Sequence, residues 1–188
     1  KLSLPKHLSL LYILNPLVIT ELTGNVHFEG VMIFFILLSF LLLLNNNLKL
    51  SAASLALGIA SKLLPDLFLP LIINKLGWRK GLVYAGITGF ITLGLFATLF
   101  DLNTITHMLN SIDLFFQHFE FNASIYYLVR YIGTIIKCYN IIAFAGPTLI
   151  LLSALIIFAI SFKDKNISSL SFFTKGRFII TAWHLFAT

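Results

Sequence analysis

The sequence predicts an all-α membrane protein with several transmembrane helices. Of its 188 residues, 59% are hydrophobic and 11% are charged, and the mean hydropathy is +0.96. A soluble domain carries about 25% charged residues, so this chain has too few polar groups to cover a water-facing surface. Disorder is also excluded, because it requires low hydrophobicity and high charge. The apolar residues fall in long stretches separated by short polar breaks, which is typical of a polytopic helical protein.

Six apolar stretches define the predicted spans. In chain order they are about 8–20, 31–44, 51–74, 82–100, 141–162 and a truncated 178–188. The mixed segment of about 101–140 is predicted to be an external loop with aromatic-rich interfacial helices. A bilayer span needs about 20 residues, so the last stretch is cut short, and we expect a fragment that is incomplete at both ends. The single cysteine, Cys138, excludes an internal disulfide.

The third stretch can be interpreted in two ways. As one straight span it would place Lys62 and Pro65 in the middle of the bilayer, where a charge costs a few kcal/mol and a proline breaks the helical hydrogen-bond ladder. As a broken hairpin over 51–74 it would enter and return, with residues 62–66 at its far tip. Short arms of this kind are tolerated where protein rather than lipid surrounds them.

The hairpin interpretation is favoured because it sorts the charges. It puts ten of the 13 basic residues on one side, namely Lys1, Lys6, Lys49, Lys75, Arg79, Lys80, Lys163, Lys165, Lys175 and Arg177. It puts six of the seven acidic residues on the other, namely Glu21, Glu29, Asp66, Asp101, Asp113 and Glu120. The basic side is then cytoplasmic. The net charge of +6 therefore reflects topology, and no nucleic-acid partner is expected.

Two polar elements on the predicted outer side are candidates for a site. Asn25, His27 and Glu29 offer an amide, an imidazole and a carboxylate, which could hold a divalent cation or sugar hydroxyls. An ordinary polar turn is the alternative, since no tight metal-ligand spacing is present. Lys62 could pair with a phosphate, or it could extend to the interface or pair with Asp66 four residues later.

A third candidate follows the interfacial segment. Asn122, Ser124 and Tyr126 open a helix, and Arg130 follows on the outer side against the positive-inside trend. Arg130 could bind a phosphate, or it could form a structural ion pair or contact a lipid headgroup. Asn122 could equally be a simple helix N-cap.

Together these motifs resemble a known family. Asn15-Pro16 with residues 23–29, then residues 61–70, then residues 121–127 occur in the order found in polyprenol-phosphate-mannose-dependent mannosyltransferases. These are multispan GT-C glycosyltransferases, which include the enzyme that adds the first mannose to the GPI anchor. The resemblance covers about residues 10 to 160 and is strongest to bacterial members. Three positions depart from the family pattern: Thr23 replaces Arg, Leu64 replaces Tyr and Ile125 replaces Pro.

The resemblance implies a function and a set of roles. It implies a bacterial plasma-membrane enzyme that transfers a sugar, with mannose expected from the family, from a polyprenyl-phosphate donor to a glycan or glycolipid acceptor on the outer face. Asn25 and Glu29 would lie in the outer cavity, Lys62 near the donor phosphate, and Asn122, Ser124 and Tyr126 at the mouth where the polyprenyl phosphate leaves. The catalytic Asp of the family has no match and is expected upstream of Lys1, so the fragment alone should be inactive. A multispan transporter or flippase, or a non-catalytic scaffold, is the alternative.

Overall fold

The computed structural model describes residues 7–24, 28–97, 101, 104, 106–111, 131, 135, 142–163 and 168–186. These residues form helices joined by short turns, and no β-strand occurs among them, which confirms the predicted all-α class. Most of the predicted loop of about 101–140 lies outside the described residues. None of the helices in the described ranges is both long enough and apolar enough to cross a membrane.

The first apolar stretch is divided at Asn15 and Pro16. Helix α1 spans Leu8–Ile13 and α2 spans Pro16–Ile19, followed by a π-helical turn over Thr20–Gly24. Asn15 is extended and caps α2, because its Oδ1 accepts a hydrogen bond from the Leu17 amide at 3.0 Å. Proline is favoured at the first helical position, where its missing amide proton would have had no partner.

Two long helices then form an antiparallel pair. Helix α3 spans Glu29–Leu44 and α4 spans Leu48–Ser61, and the turn between them includes Asn46 with a φ of 60°. Helix α4 is rich in small buried residues, and Ser51 and Gly58 lie against α3, where they meet Ser39 and Phe35. Small side chains let two helix backbones approach closely.

The chain then breaks and folds back on the other side of α4. A 3₁₀ helix spans Leu64–Phe68, α5 spans Leu69–Leu76, and α6 spans Trp78–Phe96. Gly77, with a φ of 78°, turns the chain between α5 and α6. This positive φ is the left-handed region that glycine adopts at little cost.

The last two helices complete the bundle. Helix α7 spans Ile142–Phe162 and α8 spans Ser169–Phe186. They pack together, and both contact α5. The final helix starts earlier than the predicted stretch of 178–188, because Phe172 and Ile179 continue its buried face through the polar positions Lys175 and Arg177.

The core lies where α3, α4, the 3₁₀ helix, α5 and α8 meet. Phe40 of α3 stacks edge-on against Phe68 and Phe172, with ring centroids 5.3 Å and 5.0 Å apart. Edge-to-face geometry is preferred because the positive ring edge meets the negative ring face. The aliphatic part of this core includes Leu55 and Leu71, both fully buried.

Candidate functional site

The break after α4 is built by Pro65. A proline removes one helical hydrogen bond, and its ring clashes with the carbonyl four residues earlier, which here belongs to Ser61. Helix α4 ends at that residue, and Lys62 is extended with φ −163° and ψ 137°. The Ser61 hydroxyl donates to the Gly58 carbonyl at 2.7 Å, and the Lys62 amide donates to the same oxygen at 3.1 Å. These two hydrogen bonds complete the last turn of α4. The chain leaves the helix at Lys62, where the backbone is extended.

Lys62 forms an ion pair with Glu29. Its Nζ lies 2.5 Å from Glu29 Oε1, and the two side chains are 44% and 36% exposed. Glu29 is the first residue of α3, where the helix dipole favours a negative charge, and Lys62 follows the last turn of α4, where it favours a positive one. The two residues are 33 positions apart in the chain, and the structure brings them together.

The pair depends on the register of α3 against α4. Ser51 donates to the Ser39 carbonyl at 2.8 Å, and the Ser39, Ser51 and Tyr84 hydroxyls lie 3.0 to 3.1 Å from one another in the buried core. The same antiparallel register places Glu29 opposite Lys62. Because every member of this hydroxyl cluster is satisfied by another, it specifies one register of the helices.

Asp66 lies in the 3₁₀ turn close after Lys62 in the chain. Asp66 is exposed to solvent. The ion pair that the structure gives Lys62 is with Glu29, not with Asp66 four residues later. A Lys62–Asp66 pair at that spacing would need helical backbone between them, and the helix has already ended.

An apolar groove begins one turn from Glu29. It lies between α3 and α8, has a volume of about 300 Å³, and is also lined by Phe68 of the 3₁₀ helix. Ile33, Leu37 and Phe40 line its α3 wall at helical spacing, and Arg177 of α8 lines the other side. This groove is not among the features predicted from the sequence. Its α3 residues follow an i, i+4, i+7 spacing, but α3 is apolar on most of its faces, so the spacing does not single out one of them.

The other predicted site residues cannot be placed in this geometry. Asn25, His27, Asn122, Ser124, Tyr126 and Arg130 lie outside the described residues. Within the described part of the chain, no group of three or more His, Cys, Asp or Glu side chains could hold a metal ion.

The comparison with protein families decides the class of the protein. The family model for glycosyltransferase family 87 matches residues 3–169, which is most of the chain. The chain belongs to glycosyltransferase family 87. Searches of curated proteins and of solved structures gave no match.

Family 87 membership confirms the predicted enzyme class. The protein is a glycosyltransferase, which implies a sugar donor and a glycan or lipid acceptor. The family gives no support to the transporter and scaffold alternatives. The match also covers the break, the Glu29–Lys62 pair and most of the helices around them, so these belong to the family domain.

Proposed function

We propose that this family 87 protein is part of a multispan membrane enzyme that transfers mannose from a polyprenyl-phosphate donor. The acceptor is a glycan or glycolipid on the outer face of the bacterial plasma membrane. The proposal combines the family membership with the motif order of the polyprenol-phosphate-mannose-dependent GT-C enzymes. It excludes a nucleotide sugar as direct donor, in keeping with a sequence that carries no Gly-rich phosphate loop.

The observation that carries the proposal is the position of Lys62. A half-exposed ammonium group stands at a proline-enforced break and is held by a carboxylate from another helix. In sugar transfer from a polyprenyl phosphate, the phosphate is the leaving group and gains negative charge in the transition state. A fixed cation beside it stabilises that charge without having to reorganise during the reaction.

Glu29 adds a second role to this arrangement. In the described state the Lys62 charge is neutralised by Glu29. A donor phosphate that binds Lys62 competes with that carboxylate and releases it. Glu29 is then available to accept hydrogen bonds from sugar hydroxyls, as proposed for the outer cavity with Asn25 and His27. The general base on the acceptor hydroxyl is proposed to be an Asp outside this sequence.

The apolar groove between α3 and α8 supports a lipid-borne donor. It starts one turn from Glu29 and continues along α3 as far as Phe40, so a phosphate on Lys62 and a hydrocarbon tail in the groove can be bound together. Its volume of about 300 Å³ suits part of an isoprenoid chain.

The distribution of apolar surface supports a membrane setting. Phe28, Phe34 and Phe90 are 71%, 59% and 80% exposed, alongside many exposed leucines. Apolar surface on this scale is normally covered by lipid or by protein. Half of the residues of helix α4, in contrast, are buried, which fits a hairpin arm that is enclosed by protein.

The test is sugar transfer by Lys62 variants of the full-length enzyme. We expect Lys62→Ala to lower kcat/KM for polyprenyl-phospho-mannose by about 10²- to 10³-fold, since the loss of one preformed electrostatic group has that size. Lys62→Arg should retain part of the activity because it keeps the charge. Lys163→Ala, which removes another exposed lysine, is the matched control and should transfer normally.

Folding and chemistry are separated by thermal unfolding. Lys62 and Glu29 are both partly exposed, so breaking the pair should change the stability by about 1 kcal/mol or less. Unchanged transfer by a well-folded Lys62→Ala enzyme would exclude the proposed role of this lysine.

A further inference from the structure

A second pocket lies at the opposite end of α4 from the Glu29–Lys62 pair. It has a volume of about 320 Å³ and is formed by the first turns of α4 and α6. Lys49, Arg79 and Lys80 line it, and all three are exposed. Leu48, Val83 and Ile87 supply aliphatic walls. In the sequence these three cations indicate only the orientation of the chain.

The charges of this pocket are arranged against the local helix electrostatics. The first turn of a helix carries the positive end of the dipole, so it favours anions and disfavours cations. Here three cations occupy the first turns of two helices, and no acidic residue occurs in either turn. The N-cap residues Asn47 and Gly77 give no side-chain cap hydrogen bond. Among the described residues, no carboxylate pairs with these cations. An anion in the pocket would relieve this accumulation of positive charge.

An apolar stripe leads away from the cations. Val83, Ile87 and Phe90 are spaced i, i+4, i+7 and therefore share one face of α6. Val83 is 63% exposed and Phe90 is 80% exposed. The stripe runs about 15 Å from Lys80 to Phe90, at 1.5 Å per residue. The ligand that fits has an anionic head and a hydrocarbon tail.

We propose that this pocket binds an acidic phospholipid. Its phosphate is held by Lys49, Arg79 and Lys80, and one acyl chain lies along the apolar stripe of α6. The pocket floor is rigid, because Tyr84 is buried and its hydroxyl is held by the serine hydroxyls of α3 and α4. The inference rests on the proposed membrane setting. It concerns a different site from the donor, since α4 separates the two by about 20 Å.

The test compares phosphatidylglycerol with matched ligands on the full-length protein in detergent. Short-chain dihexanoyl-phosphatidylglycerol is titrated against dihexanoyl-phosphatidylcholine and inorganic phosphate, and binding is followed by native mass spectrometry. We expect phosphatidylglycerol to bind tightly, and phosphatidylcholine and inorganic phosphate to bind much more weakly. Lys49→Gln with Lys80→Gln should weaken it about thirtyfold, at roughly tenfold per 1.4 kcal/mol and about 1 kcal/mol per lysine. Lys163→Gln with Lys165→Gln removes the same charge elsewhere on the basic side and should leave binding unchanged.

Each arm can overturn the inference. If the control pair weakened phosphatidylglycerol binding equally, the lipid would be attracted non-specifically to basic residues. If phosphate bound as tightly as phosphatidylglycerol, the pocket would be a simple anion site. Val83→Ser, at an exposed position, should weaken phosphatidylglycerol severalfold and phosphate not at all; no change would exclude the acyl contact. The readout is independent of sugar transfer. If the protein bound the lipid but did not transfer sugar, only the proposed function would be contradicted. If it transferred sugar but did not bind the lipid, only the phospholipid site would be contradicted.

Discussion

The contact between α5 and α6 at Gly81 predicts a large effect of one added methyl group. A Cβ on Gly81 would lie 2.7 Å from the Cα and 2.8 Å from the carbonyl oxygen of Ile73. Both atoms belong to the backbone of α5, so no side-chain rotation can relieve the clash. Gly81→Ala must therefore push α5 away from α6, and α5 is one arm of the break that carries Lys62.

The expected change in the free energy of unfolding is the sum of two opposing effects. Overpacking costs about 1–3 kcal/mol, while alanine is favoured over glycine in a helix by up to about 1 kcal/mol. Gly86→Ala isolates the second term, because a Cβ at Gly86 meets no atom within 4 Å. We expect Gly86→Ala to be neutral or stabilising, and Gly81→Ala to be less stable than it by about 2 kcal/mol.

The assay is thermal unfolding of both variants in the same detergent. For a chain of this size, 1 kcal/mol shifts Tm by about 2–4 °C, so the two variants should differ by about 4–8 °C. Equal Tm values for Gly81→Ala and Gly86→Ala would refute the close packing of α5 on α6.

Two further predictions concern the core. Phe40→Ala should cost about 3–5 kcal/mol of unfolding free energy, because the ring fills the aromatic core, whereas Phe34→Ala, at a residue that is 59% exposed, should cost far less. Tyr84→Phe should cost about 1 kcal/mol, since both serines keep each other as partners; denaturant unfolding that shows a loss above about 3 kcal/mol would contradict this.

The all-α class could be predicted because composition and apolar stretches need no knowledge of packing. The end of α4 was also foreseeable, since Pro65 excludes a continuous helix through Ser61. The helix boundaries were harder to predict from the sequence. The start of α8 lies in a polar-looking region, and only its packing makes Phe172 a buried residue.

The candidate site could be predicted in part. An ionisable residue such as Lys62 inside an apolar stretch is a functional hypothesis from sequence alone. Its partner Glu29 depends on the α3–α4 register, which is fixed by small residues and by hydroxyls at Ser39 and Ser51. A lone serine in an apolar stretch gives no sign of which distant serine it will meet.

The fold-back between Leu48 and Leu76 determines the direction in which the following helix runs. The pocket lined by Lys49, Arg79 and Lys80 shows that α6 begins at the end of the bundle where α4 began. The fold-back therefore returns the chain to the level at which α4 began, and α6 runs in the same direction as α4. The arms α4 and α5 carry buried core residues such as Leu55 and Leu71, whereas Lys62, Leu63 and Asp66 at the tip are exposed. Substitutions at the tip can therefore change the chemistry beside Lys62 while the bundle keeps its packing.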